Sequence, residues 1–150
     1  MEIISLSFDI EETEIIEFEK RNGISIPEEY RAFLLDNNVF FVEPSNFFLM
    51  HVSNINTSDR PDDTLSYFLG FADDENEPKK LDWALEIYKG RIPDNYLPIG
   101  YDLGGNVICI GLNGDKKGKI YFWWHEGEEG EDNLLCLADD FTSFINSFAE

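Results

Sequence analysis

Basic side chains are scarce in this chain: 11 Lys and Arg stand against 31 Asp and Glu in 150 residues, a formal net charge of −20. Such a surface repels phosphates and no basic stripe interrupts it, so neither nucleic acid nor an anionic membrane is an expected partner. Cysteine is limited to Cys109 and Cys136, too few for a disulfide framework or a cysteine-built zinc set. Histidine is limited to His51 and His125, in different predicted strands, so no metal centre and no cofactor is expected. Long apolar runs are missing as well. The longest, 47–50 and 120–124, fall far short of the roughly 18 residues that a membrane helix needs. The opening Met1-Glu2-Ile3-Ile4 has neither a positive n-region nor a signal-length apolar stretch, and the expected location is the reducing cytoplasm.

Large rings, by contrast, are plentiful. The chain has 13 Phe, 6 Tyr and 3 Trp, with 43% hydrophobic residues overall. Acidic disordered chains are poor in such residues, so the charge sits on a folded body, and the length suits one domain spanning 1–150.

Asp9 followed by Glu12 has the spacing of a capping box and predicts a helix over 9–22 with Gly23 as its stop. Pro27 suits the first turn of a second helix over 27–36, with Tyr30, Phe33 and Leu34 at helical spacing. Segments 39–42, 47–52 and 65–71 read as strands, the last preceded by a polar loop containing Pro61. Leu81, Ala84, Leu85 and Tyr88 mark a helical face within 79–89. Pro93 and Pro98 bracket Tyr96-Leu97, and Asp102 to Asn106 supplies a tight turn. Segments 107–112 and 120–125 form the clearest hairpin. Leu137, Phe141, Phe144, Ile145 and Phe148 trace a helical stripe that closes the chain. This order lacks regular βαβα alternation. The expected class is α+β, a largely antiparallel sheet packed by N-terminal, inserted and C-terminal helices.

Signatures of catalysis are absent. There is no Gly-x-Ser-x-Gly elbow and no phosphate-cradling glycine loop, and Cys109 lies in an apolar strand where a thiolate is disfavoured. Asp102 with Glu126, and Trp123 or Trp124 as a sugar platform, is the one arrangement that suits a hydrolase, and 31 carboxylates supply such pairs by chance. Alternation along a strand instead sends Trp123 and Trp124 to opposite faces as core. The acids cluster at Glu11, Glu12, Glu14, Glu17 and Glu19, at 73–77 and at 126–132. Solubility is one reading of these clusters. The other is complementarity to a basic protein, because charge of one sign speeds encounter with its opposite.

The order of motifs resembles the SUKH superfamily of Smi/Knr-type domains, which includes a fungal cell-wall assembly regulator and many bacterial immunity proteins. The resemblance lies in Ile26-Pro27-Glu28-Glu29-Tyr30-Arg31-Ala32-Phe33-Leu34, in Tyr96-Leu97-Pro98-Ile99-Gly100 with Asp102, Gly104, Gly105 and Asn106, in the stretch 118–126 around Tyr121-Phe122-Trp123, and in Leu137 to Phe141 with Phe144. Two departures are Asn38-Val39, where the family often has a glycine pair, and Trp124, where an acidic residue is common. The resemblance implies a non-catalytic cytoplasmic immunity protein, an antitoxin of a polymorphic toxin system, that neutralises a cognate basic toxin such as a nuclease. Charge then nominates Glu126, Glu128, Glu129, Glu131 and Asp132 as toxin-facing groups, with Asp73, Asp74 and Glu75 secondary. A general regulatory or scaffold interaction domain and, further off, an acidic hydrolase are the alternatives.

Overall fold

The computed structural model describes residues 2–5, 9–43, 45–48, 62–71, 80–124 and 134–148. Strand β1 (Glu2–Ser5) precedes helices α1 (Glu12–Asn22) and α2 (Glu28–Asn37), followed by β2 (Phe40–Glu43), β3 (Asn46–Phe48) and β4 (Asp62–Phe68). Helix α3 (Leu81–Ile87) leads into β5 (Tyr96–Asp102), β6 (Val107–Gly111), β7 (Ile120–Trp123), β8 (Leu134–Ala138) and α4 (Phe141–Asn146). The strands form one sheet in the order β1-β2-β4-β5-β6-β7-β8, with β3 pairing β4 outside that path, and all these pairs are antiparallel. The α+β class and the three helix placements are as the sequence implies.

Helix α1 begins later than expected. Its capping box is Glu11 with Glu14 rather than Asp9 with Glu12, and it stops at Gly23, whose φ of 66° is the left-handed conformation that favours glycine. Strand β1 carries no periodic pattern long enough to detect in four residues. Strand β5 contains Pro98, which disguises it: a register shift lies between Pro98 and Gly100, where an irregular ladder tolerates a missing donor. The closing helix is shorter than the stripe implied. Leu137 belongs to β8, and α4 begins only after Asp140, whose carboxylate accepts from the Ser143 N–H at 2.7 Å. Of the expected strand 47–52, residues beyond 48 lie outside the described residues.

Alternation along the strands divides the core in two. Leu97, Ile99, Ile108, Ile110, Ile120, Phe122 and Leu135 join one buried cluster with Ile15 and Phe18 of α1, Tyr30 and Leu34 of α2, and Phe141, Phe144 and Ile145 of α4. Tyr96, Val107, Cys109, Tyr121, Trp123 and Leu134 form a second cluster together with Ile92. The rings of the first cluster interlock edge to face, Tyr30 on Phe141 at 5.1 Å and Phe33 on Phe141 at 4.8 Å.

The family-like motifs meet in space, which explains their order. The Tyr30 hydroxyl is fully buried and donates to the Leu69 carbonyl, with the Ile99 carbonyl 3.3 Å away, pinning α2 to the junction of β4 and β5. The Glu29 carboxylate accepts from the Phe141 N–H at 3.3 Å and from the Thr142 hydroxyl, clamping α2 to the start of α4. The Asp102 carboxylate accepts from Gly104 N–H (2.8 Å), Asn106 N–H (2.7 Å) and Asn106 Nδ2 (2.7 Å), closing the turn between β5 and β6.

Candidate interaction surface

The second cluster lies on a row of cross-strand partners. Tyr67, Tyr101, Val107, Trp123 and Leu134 pair in succession across β4, β5, β6, β7 and β8. Tyr88, at the end of α3, packs against two members of this row, 6.3 Å from the Tyr101 ring and 5.5 Å from Trp123. The Arg91 guanidinium lies over Trp123 at 5.0 Å and over Tyr88 at 5.7 Å. The Tyr101 hydroxyl and the Trp123 indole N–H are buried and meet no hydrogen-bond partner among the described residues.

Burial pushes the phenols of Tyr67, Tyr88 and Tyr101 above the ordinary tyrosine range, and proximity among the three phenols reinforces the shift at Tyr67 and Tyr101. Arg91 opposes the shift at Tyr88. All three therefore remain neutral donors at physiological pH. Burial also pushes the Cys109 thiol up, which removes it as a nucleophile.

Beside this face, α1, α3 and the start of β5 enclose an open groove of about 590 Å³. Its floor is apolar, made by Ile24, Leu85, Ile92, Pro93, Tyr96 and Pro98. Its rim carries Asp82, Glu86, Lys89 and Asp94. Local hydrogen bonds set its width. Asp82 binds Arg21 at 2.7 Å and accepts from Asn22 Nδ2 at 3.1 Å, tying the end of α1 to the start of α3. The Tyr88 carbonyl accepts from the N–H groups of Arg91 and Ile92, both at 2.9 Å, which turns the chain from α3 toward β5. These walls come from segments far apart in the chain, such as Asn22 and Asp82, so nothing in a linear reading signals them.

The sequence-nominated groups Glu126, Glu128, Glu129, Glu131, Asp132, Asp73, Asp74 and Glu75 lie outside the described residues, as do His51 and His125. Their anchors are described. Segment 125–133 joins the paired ends of β7 and β8, where Trp123 faces Leu134, beside the turn between β5 and β6. Segment 72–79 departs and returns at the bridge between Gly70 and Lys80, at the foot of α3. The ends of the two acidic segments thus lie at different parts of the sheet.

The acids of α1 are mostly engaged. Glu11 and Glu14 build the cap. Glu19 pairs with Arg31 at 2.8 Å and accepts from the Ile26 N–H at 2.7 Å, while Glu12 reaches Arg31 at 3.4 Å. The hydrolase arrangement loses its parts: Asp102 is 4% exposed with its oxygens committed to the turn, and Trp123, at 1% exposed, offers no platform. Trp124 packs against the first cluster, on the opposite face, as alternation requires. Among the described residues no group of three or more His, Cys, Asp or Glu is placed to hold a metal ion, and no helix is long and apolar enough to cross a membrane.

The sequence pattern of the SMI1 / KNR4 family (SUKH-1) matches residues 9–147. This chain belongs to that family. Three of the four SUKH-like motifs have structural roles here, through Glu29, Tyr30 and Asp102. The chain is also similar to the SPbeta prophage-derived uncharacterized protein YokK of Bacillus subtilis (strain 168), 36% identical over 91 residues. That alignment covers 59% of this chain and 44% of the relative's length.

Proposed function

We propose that this SUKH-1 chain is a non-catalytic immunity protein, one domain that binds a cognate cationic toxin, such as a nuclease, and blocks it in the cytoplasm. The observation that carries the reading is the net charge of −20 on a domain of this family. Glu11, Glu12, Glu14, Glu19, Glu29, Asp82, Asp102 and Asp140 have structural partners, and they are a minor part of the 31 acids. Charge of this kind raises the rate of encounter with a groove built for phosphates, up to around 10⁸–10⁹ M⁻¹s⁻¹ at low salt. Binding without chemistry suits the engaged state of Asp102 and the raised thiol of Cys109.

Glu126, Glu128, Glu129, Glu131 and Asp132 are the primary toxin-facing groups in this proposal, with Asp73, Asp74 and Glu75 secondary. The test is growth: cells that express the product of the adjacent gene should survive when this chain is co-expressed and die without it. Equal killing with and without the chain would remove the immunity role.

A further inference from the structure

We propose that the groove between α1, α3 and β5 receives an arginine side chain presented by the cationic partner; this rests on the toxin-binding reading and names the group that the site recognises. The floor of Ile24, Leu85, Pro93 and Pro98 is apolar and suits the methylene stem of a long cationic side chain, whose charged end stays at the wet rim. Two carboxylates stand on that rim, Glu86 and Asp94, both on exposed residues and neither in an ion pair among the described residues. Asp82 is already neutralised by Arg21, and Lys89 is the one cation among the described lining residues, with the Arg91 guanidinium over the ring of Tyr88, so the bias toward a cationic occupant comes from Glu86 and Asp94 together with the net charge of −20. An anionic occupant meets this rim and the charge of the whole chain and is disfavoured.

Arginine fits better than lysine. Its planar fork matches a carboxylate in two parallel hydrogen bonds, and its face stacks on a tyrosine ring. Tyr88 borders the groove and already accepts one guanidinium, that of Arg91, over its ring at 5.7 Å. Tyr96 adds a second ring to the floor.

The experiment uses the full-length ¹⁵N-labelled chain at about 0.3 M salt, where diffuse attraction is screened to within several ångströms. N-acetyl-arginine methylamide is titrated against it, with N-acetyl-glutamate methylamide as the control. Saturable shifts are expected at the amides of Ile24, Leu85 and Tyr96 with the arginine derivative alone. The isosteric double variant Glu86→Gln/Asp94→Asn, with an unchanged thermal midpoint, should weaken that binding at least tenfold. Shifts that fail to saturate, or that persist undiminished in the double variant, overturn the groove. The parent reading fails separately. If the adjacent gene's product binds wild type and double variant equally, the groove assignment falls and the immunity reading stands. If the arginine derivative binds the groove but that product is neither bound nor neutralised, the reverse holds.

Discussion

Asn38 shows how a single residue replaces a family feature. It follows α2 with φ 53° and ψ −126°, a conformation natural to glycine, and it is the only non-glycine residue with positive φ among those described. Its side chain explains why asparagine is accepted there: Oδ1 accepts from the Phe71 N–H at 2.8 Å and Nδ2 donates to the Phe71 carbonyl at 3.0 Å. The close approach continues at Gly70, where an added Cβ would clash with Asn38 Oδ1. Backbone strain at Asn38 is thus offset by two hydrogen bonds that tie the end of α2 to the chain beyond β4. Asn38→Ala keeps the strain and leaves main-chain groups unpaired, so it should lower unfolding free energy by about 2–4 kcal/mol in urea titration. Asn38→Gly loses the same hydrogen bonds but relieves the strain and should cost clearly less. A glycine variant as unstable as the alanine variant would show that strain is not part of the balance.

At the scale of elements, the row from Tyr67 through Tyr101 and Trp123, with Tyr88 packed on it, gathers half-buried phenols on the second face. Their folded-state pKa values are raised above the ordinary value near 10, so the neutral form is favoured in the native protein. The resulting stability is complete below pH 10 and is lost as pH rises through the folded values. Absorbance titration should accordingly show Tyr67, Tyr88 and Tyr101 ionising above the ordinary tyrosine range, and Tyr101→Phe should make the unfolding transition less steep in pH. Non-cooperative ionisation of all six tyrosines near pH 10 would contradict the buried row. These elements also mark how far the sequence could be read. The hairpin of β6 and β7 and helices α1 to α3 were legible because their periodicity or capping residues run over enough positions. Strand β8 was not, since Leu137 falls in phase with the stripe of α4 and five residues of alternation cannot outweigh it. Nor was β5, where Pro98 argues against a strand until the irregular register between Pro98 and Gly100 is seen. The groove was invisible for a different reason: Glu86 and Asp94 line the same groove as Ile24 only in the folded chain, where Arg21 and Asn22 bind Asp82.

For the molecule as a whole, charge dominates encounter. Reversal of Glu128, Glu129 and Glu131 to Lys changes the formal charge from −20 to −14 and should slow association with a cationic toxin by about tenfold at low salt, with a smaller effect near 0.5 M. Stopped-flow mixing at two ionic strengths measures this, and circular dichroism verifies that the fold is kept. An unchanged association rate at low salt would take this segment out of the interface and leave the groove side as the place of contact. The family motifs would be untouched by either result, because Glu29, Tyr30 and Asp102 act on the chain itself.

The sheet order carries a consequence for how the chain reaches its native state. From β4 to β8 each strand lies beside its successor in sequence, and the connections that join β5, β6 and β7 are short, so these hairpins can form by local closures, whereas β4 and β5 are separated by α3. The N-terminal strand is the exception. β1 pairs with β2 across both α1 and α2, and β2 reaches β4 only at Phe40 against Phe68. Strand β1 is therefore among the last elements to find its place, once the two helices have settled on the meander.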